Sequence, residues 1–280
     1  MLYNNYLGEA MSLFGRFPRV FPNFVPFGLA EEDGKTVIDF HTHVLPGIDD
    51  GSRDSEMTEA LLAEEARQGV DFIVATPHFY ANRTSIDRFL QKRDAALART
   101  VELSAGKAFP RLAVGAEVYY FPGIGKAKDI SRTAVNGRTL LLEMPFEQWK
   151  DGMLRDVNDL RDQGLTVVLA HIERYPEFQS KKDVWDKLMA SPVVKQINAS
   201  SFLKQGGLAG LIRGNRKASF ALSFLQDHPE TIIGTDCHNM EGRRPKLQEA
   251  REAIRGALGA EILSRVDALT ESLINHQKET

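Results

Sequence analysis

The segment Asp39-Phe-His41-Thr-His43-Val-Leu-Pro-Gly-Ile-Asp49-Asp50-Gly51 places two imidazoles at i and i+2, directly after a short apolar run. In an extended chain these positions face the same side, so His41 and His43 form a ready pair of metal ligands. Other apolar runs end in the same kinds of residue: Ala75-Thr-Pro-His78, Gly115-Ala-Glu117, Leu142-Glu143, Ala170-His171 and Gly234-Thr-Asp236-Cys-His238. Asp236 and His238 repeat the i, i+2 spacing. A single histidine after a strand is ordinarily a hydrogen-bonded structural residue, and a lone glutamate there is ordinarily solvated. Here five of the seven histidines, together with isolated carboxylates, fall at the ends of successive runs, and that joint pattern points to metal. His228 and His276, in helix-end and tail contexts, read as surface residues.

The donor set mixes nitrogen and oxygen and has no thiolate cluster. It suits Mn²⁺, Fe or Zn²⁺ and disfavours a structural zinc site. The donors are too many for one ion, so two or three ions with bridging carboxylates are expected. Clusters of that type catalyse hydrolysis. Arg174 and Arg243 follow His171 and His238 closely. Each reads either as a phosphate-binding fork or as a surface salt bridge. Cys237 to Arg243 also fits C-x₅-R, the spacing of cysteine-dependent tyrosine phosphatases. That loop needs small residues and a helix start behind the cysteine. Here Asn239-Met-Glu241 stands inside it, and Glu241 would repel phosphate. Cys237 reads instead as a small buried side chain behind the metal site.

The elements that must position these residues alternate along the chain. Short β-rich runs lie at Val37–Phe40, Val70–Ala75, Leu112–Ala116, Thr139–Leu142, Thr166–Ala170, Val193–Ile197 and Thr231–Gly234. Helical patterns cover Ser55–Gln68, Ile86–Leu103, Asp151–Gln163, Asp183–Met189, Lys217–Leu225, Pro245–Leu258 and Glu261–Asn275. Asp54 or Ser55 is an N-cap, and Gly69 and Gly164 are helix stops. Seven β-α units predict a parallel sheet, as a closed or nearly closed barrel first and an open doubly wound sheet second. In such folds sites gather at the C-terminal ends of the strands, where the donors fall.

Of the 280 residues, 42% are hydrophobic and 26% charged, which provides a sizeable core. A net charge of −3 argues against a general grip on nucleic acid. One cysteine excludes an intramolecular disulfide and suggests a reducing, cytoplasmic home. No run of 18 apolar residues exists to span a membrane, and the N-terminus does not read as a secretory signal. Residues 1–36 form an arm apart from the domain at 37–280. Its stretch from Phe14 to Phe27 carries five phenylalanines between prolines and predicts an extended segment packed on its own body first and on a partner or neighbouring subunit second; the second case would make a homo-oligomer through the arm. Met11 is an alternative start.

At these motifs the sequence resembles the polymerase and histidinol phosphatase (PHP) superfamily. More narrowly, it is similar to the bacterial manganese-dependent protein tyrosine phosphatases of capsule and exopolysaccharide systems. The match runs through Asp39–Gly51, Ala75–His78, Gly115-Ala-Glu-Val-Tyr-Tyr120, Leu142-Glu143, Ala170-His-Ile-Glu-Arg-Tyr175 and Thr235-Asp-Cys-His-Asn239. The resemblance implies a single-domain α/β fold, a distorted (β/α)₇ TIM-like barrel. It implies one metal on His41, His43, Glu117 and Asp236, a second on Glu117, Glu143 and His171, and a third on Asp50, His78 and His238, with Asp49 an alternative to Asp50. It also implies a phosphotyrosine substrate, on an autophosphorylating bacterial tyrosine kinase. A histidinol phosphatase or other small-molecule phosphoesterase, a phosphodiesterase or exonuclease, and a non-catalytic metal-binding protein are the other readings.

Overall fold

The computed structural model describes residues 36–204 and 215–275, together with the backbone of Phe24–Val25. The remainder of the arm, its phenylalanine side chains, Met11 and His276 lie outside the described residues. Strand β1 (Phe24–Val25) is followed by β2 (Ile38–Thr42), α1 (Ser55–Arg67), β3 (Phe72–Ala75), β4 (His78–Phe79) and α2 (Ile86–Ser104). Then come β5 (Arg111–Val114), β6 (Glu117–Tyr119), β7 (Thr139–Glu143), α3 (Asp151–Asp162), β8 (Thr166–Leu169) and α4 (Asp183–Met189). The chain closes with β9 (Val194–Asn198), α5 (Arg216–Asp227), β10 (Thr231–Gly234), α6 (Leu247–Leu258) and α7 (Ala260–Ile274).

One sheet has the order β1-β5-β3-β2 and the other β10-β9-β8-β7-β6-β4; every pairing is parallel except that of β1 on β5. Because β3 runs on into β4 and β5 into β6, the two sheets are successive parts of one array of seven parallel steps. Its ends meet at the mouth. Thr42 bridges Cys237 in parallel, Asp236 N–H donates to His41 O at 2.7 Å, and His43 N–H donates to Cys237 O at 3.0 Å. The fold is a single-domain α/β architecture, a distorted TIM-like barrel whose last seam is held by these contacts instead of a full ladder.

Alternation along the strands separates two apolar clusters. Ile38, Phe40, Phe72, Val74, Ala113, Leu141, Val168, Ala170, Val194 and Ile232 form one, which the end of α7 joins through Leu273 and Ile274. The opposite face, with Ile73, Leu112, Leu140, Leu142, Val167, Leu169 and Ile233, packs in a larger cluster with the helices. Burying a side chain such as Phe40 completely is worth about 1.5–3 kcal/mol. Thr139 Oγ1 donates to Leu273 O at 2.9 Å. This fixes α7 at the start of β7, away from the strand ends that carry the polar residues.

The helix signals act as expected. Asp54 caps α1 by accepting from Met57 N–H at 2.8 Å, while Gly69 and Gly164 follow their helices at φ +73° and +84°. Most boundaries differ from the sequence reading by one or two residues. Val70 precedes β3, and Pro245 precedes α6. The expected strand Leu112–Ala116 stops at Val114 as β5, and a second strand, β6, starts beyond it at Glu117. At the kink, Gly115 sits so near Val135 that an added Cβ would lie 2.7 Å from Val135 Cγ2. The step after β6 carries 3₁₀ turns at Ile124–Lys126 and Ile130–Thr133 in place of an α-helix.

Candidate active site

The nine expected donors converge at the C-terminal end of the array. β2 delivers His41 and the loop after it His43, whose Nε2 atoms lie 3.2 Å apart. The β2–β3 register shifts between Asp39 and Thr42, and His41 lies against Gly234. A Cβ at Gly234 would come within 2.6 Å of His41 Cβ, so β10 can approach His41 only as glycine. Glu117, at the start of β6 and opposite His78 in register, is the hub. Its Oε2 lies 3.2 Å from His41 Nε2, 3.3 Å from His43 Nε2 and 3.0 Å from His78 Nδ1. Its Oε1 lies 2.9 Å from His171 Nε2.

His41, His43, Glu117 and Asp236 offer donor atoms all within 4.8 Å of one another; so do His78, Glu117 and Glu143, and so do His43, His78 and His238. Glu143 Oε1 is 3.5 Å from His171 Nε2. The adjacent aspartates divide. Asp49 turns inward to His43 Nδ1 at 2.8 Å. Asp50, with its side chain 66% exposed, reaches to 3.4 Å from His78 Nε2 and 3.5 Å from His238 Nε2.

Local backbone aims two of these groups. His171 has φ +33° and Asp236 φ +54°, a left-handed conformation that costs a non-glycine residue energy and persists only where the surroundings impose it. His171 N–H donates to Gln196 Oε1 at 2.7 Å, and Asp236 N–H to His41 O.

Sequence reasoning placed β9 to within one residue but missed the roles of Gln196 and Asn198 on it. Gln196 Oε1 also accepts from His41 Nδ1 at 3.1 Å, which leaves Nε2 for the cluster. Asn198 donates to Asp236 Oδ2 at 2.8 Å. The available signal was two polar residues at i and i+2 in a wholly buried strand. Also missed was Tyr175, whose hydroxyl accepts from Met144 N–H and lies 3.2 Å from His171 Nδ1.

The two arginines both reach Asp236. Arg174 Nη2 donates to Oδ2 and Arg243 Nη2 to Oδ1, each at 2.7 Å. They line a cleft of about 330 Å³ with Asn198, Ser200, Arg244 and Lys246. Cys237, by contrast, is fully buried, with Sγ 3.7 Å from Glu65 Oε1. Burial first, then the charges of Glu65 and Asp39, push its thiol well above the ordinary range. His228 is half-buried, stacked on Phe224 at 4.1 Å, so it is less exposed than its helix-end position suggested.

The charges are strongly interdependent. Burial disfavours a charge on His43, but Asp49 and Glu117 outweigh it and hold the imidazole up at about 10. Burial alone would raise Glu117; the charge of His41 and the bonds from His171, His41 and His43 hold it well below the carboxylate range. Asp236 is likewise depressed, against its burial, by His41, His43 and Arg174. His238 goes the other way, lowered to about 3 by burial and the neighbouring His43 charge.

The chain folds as a parallel α/β array with histidines and carboxylates crowded at its C-terminal mouth. Residues 37–271 match the family model described as Capsular polysaccharide synthesis, CpsB/CapC. The chain belongs to the CpsB/CapC family. It is 29% identical to the tyrosine-protein phosphatase CpsB of Streptococcus agalactiae serotype III (strain NEM316) over 230 residues, 80% of this chain and 92% of that protein. It is 26% identical to the tyrosine-protein phosphatase YwqE of Bacillus subtilis (strain 168) over 243 residues, covering 86% and 92%. The fold matches a structure from a study of B. subtilis YwqE and Streptococcus pneumoniae CpsB, described as unique metal-dependent tyrosine phosphatases. The TM-score is 0.71 at 24% identity, over 86% of this chain and 95% of that one.

Proposed function

We propose that this chain hydrolyses the phosphate monoester of phosphotyrosine with two or three divalent cations, manganese foremost. The cations would be held by His41, His43, Asp50, His78, Glu117, Glu143, His171, Asp236 and His238. One observation carries the reading: these donors share a single mouth with two arginines anchored on Asp236. The donors fit cations on a further ground. Glu143 Oε2 and His238 Nε2 are buried without a hydrogen-bond partner among the described residues, and such atoms are costly unless something charged completes them. His238 Nδ1 donates to Asp236 O at 3.0 Å, which leaves Nε2 as a lone-pair donor.

Bound there, divalent cations supply Lewis-acid polarisation of phosphoryl oxygens and a lowered pKa for water. The chain's own residues do the rest. Gln196 and Asp49 fix the rings of His41 and His43 through their Nδ1 atoms, and Arg174 and Arg243 line the cleft with guanidinium N–H donors for phosphoryl oxygens. A phenol leaving group has a pKa of about 10, so it departs with less help from a proton donor than an alkoxide would need. None of the nine donors then has to double as a general acid.

The family description and the relatives' names support a protein substrate in capsule synthesis. The reading extends to the phosphotyrosine tail of an autophosphorylating kinase met in the cytoplasm, with residues 1–36 joining a second copy. No helix among the described residues is long and apolar enough to cross a membrane.

The test is turnover on a phosphotyrosine peptide against histidinol phosphate, with metal-stripped protein reloaded with Mn²⁺, Fe²⁺ or Zn²⁺. Activity should vanish on stripping, return best with Mn²⁺ and favour the peptide. Full activity after metal removal confirmed by elemental analysis, or preference for histidinol phosphate, overturns it.

A further inference from the structure

Three residues beyond Glu143, an aromatic ring stands in solvent beside the donor cluster. Phe146 is 41% exposed and Phe178 36% exposed, the only exposed large hydrophobic residues among the described ones. They touch each other, with ring centroids 5.7 Å apart. Phe146 also lies nearly parallel to His171, at 6.0 Å and 15°, and against Tyr175 at 5.4 Å. His171 faces Glu117 and Glu143 with its Nε2. The Phe146–Phe178 shelf therefore begins at the ring of a cluster residue and runs outward from it.

Isolated exposed apolar residues are ordinary, but a contiguous pair at the rim of a polar site marks a surface that something covers. The cleft with Arg174, Arg243, Arg244 and Lys246 is of another kind and offers cationic N–H donors suited to anionic oxygens. A ligand that satisfies both carries a phosphoryl group and an aromatic ring. Aromatic rings gain from offset or edge contact with a second ring beyond the area they bury.

The geometry points to Phe146, backed by Phe178, as the specificity-determining residue that seats the aryl ring of the phosphate ester while the arginine side receives the phosphoryl group. This rests on the phosphomonoesterase reading above. It adds that selection of aryl over alkyl esters resides in a shelf outside the cation cluster.

Two non-hydrolysable probes separate the halves of the ligand. Methylphosphonate reports the phosphoryl side alone, and phenylphosphonate adds the ring. Binding of each to manganese-loaded protein is measured by calorimetry for wild type, Phe146→Ala, Phe146→Leu and Phe146→Trp, with melting temperature and metal content of each variant. Wild type should prefer phenylphosphonate by roughly fivefold to tenfold. Phe146→Ala should lose that preference with methylphosphonate affinity unchanged, Phe146→Leu should lose most of it while keeping the apolar bulk, and Phe146→Trp should retain it. An unchanged preference in Phe146→Ala overturns the inference, as does a wild type with no preference. Equal weakening of both probes, or altered metal content, would show that Phe146 acts only by holding His171, and also overturns it. A wild type that binds neither probe fails earlier, on the phosphomonoesterase reading itself. Loss on a phosphotyrosine peptide with phenylphosphonate untouched assigns the shelf to a neighbouring peptide side chain and overturns the ring assignment.

Discussion

Asp49 Oδ2 lies 2.8 Å from Nδ1 of His43, and the same oxygen accepts from the backbone N–H of His78 at 3.0 Å. One carboxylate thus orients a cluster imidazole and ties down the backbone of another. Asp50, the next residue, points outward to the two histidines across the mouth.

Asp49→Asn should therefore weaken metal binding without removing a donor from the cluster. Partners that orient a ligating histidine typically contribute 10–100-fold in affinity or activity. Manganese titration should show a loss of about that size, with the fold intact by circular dichroism. Wild-type affinity would show that His43 needs no partner to hold its ring.

Arg174→Ala and Arg243→Ala should each reduce kcat/KM on a phosphotyrosine peptide by about tenfold to a hundredfold, since a charge-assisted hydrogen bond is worth roughly 1.5–3 kcal/mol. Metal content should stay constant. Lysine should rescue only in part, because an ammonium lacks the two-pronged geometry. Wild-type kinetics in both alanine variants would reduce these arginines to salt bridges of Asp236.

Without metal, stability should depend on pH through His43. Its imidazole is held at about 10 against an ordinary 6.5. A raised histidine contributes stability that is full below 6.5 and is lost as the pH climbs through about 10. Asp49, lowered to about 2 by His43 against its own burial, contributes stability present above its ordinary 3.8 and lost as the pH falls through about 2. In chelator, the melting temperature should decline steadily from pH 6.5 to 10, and manganese should protect increasingly over that window as it replaces the proton. A flat profile for the stripped protein would contradict this charge assignment.

Cys237→Ser should keep most of the activity, and alkylating reagents should leave the native enzyme untouched. The thiol is buried behind the cluster and is pushed toward its neutral form, whereas a nucleophilic cysteine must be exposed and ionised. A dead serine variant that still folds and binds manganese would restore the C-x₅-R chemistry.

The pattern of donors was legible in the sequence because period-two alternation and parallel β/α order are local properties. A histidine at i and another at i+2 will share a side, and an apolar run followed by a helix pattern will place its last residue at the C-terminal rim. That these donors share one rim could be read without coordinates for that reason, whereas the grouping of His41, His43, Glu117 and Asp236 on one ion comes from the family resemblance. What remained hidden depends on contacts between chain segments far apart. The kink at Gly115 exists because Val135, twenty positions on, packs there. The choice between Asp49 and Asp50 turns on which one the His43 ring meets. Gln196 and Asn198 acquire a role only where the folded chain brings His171 and Asp236, at the ends of β8 and β10, alongside them. Phe146 and Phe178 are separated by α3, β8 and 3₁₀ turns, so only the folded chain joins them into one surface. Residue type and spacing set which groups stand at the mouth; packing between distant segments decided which way each faces and what it touches.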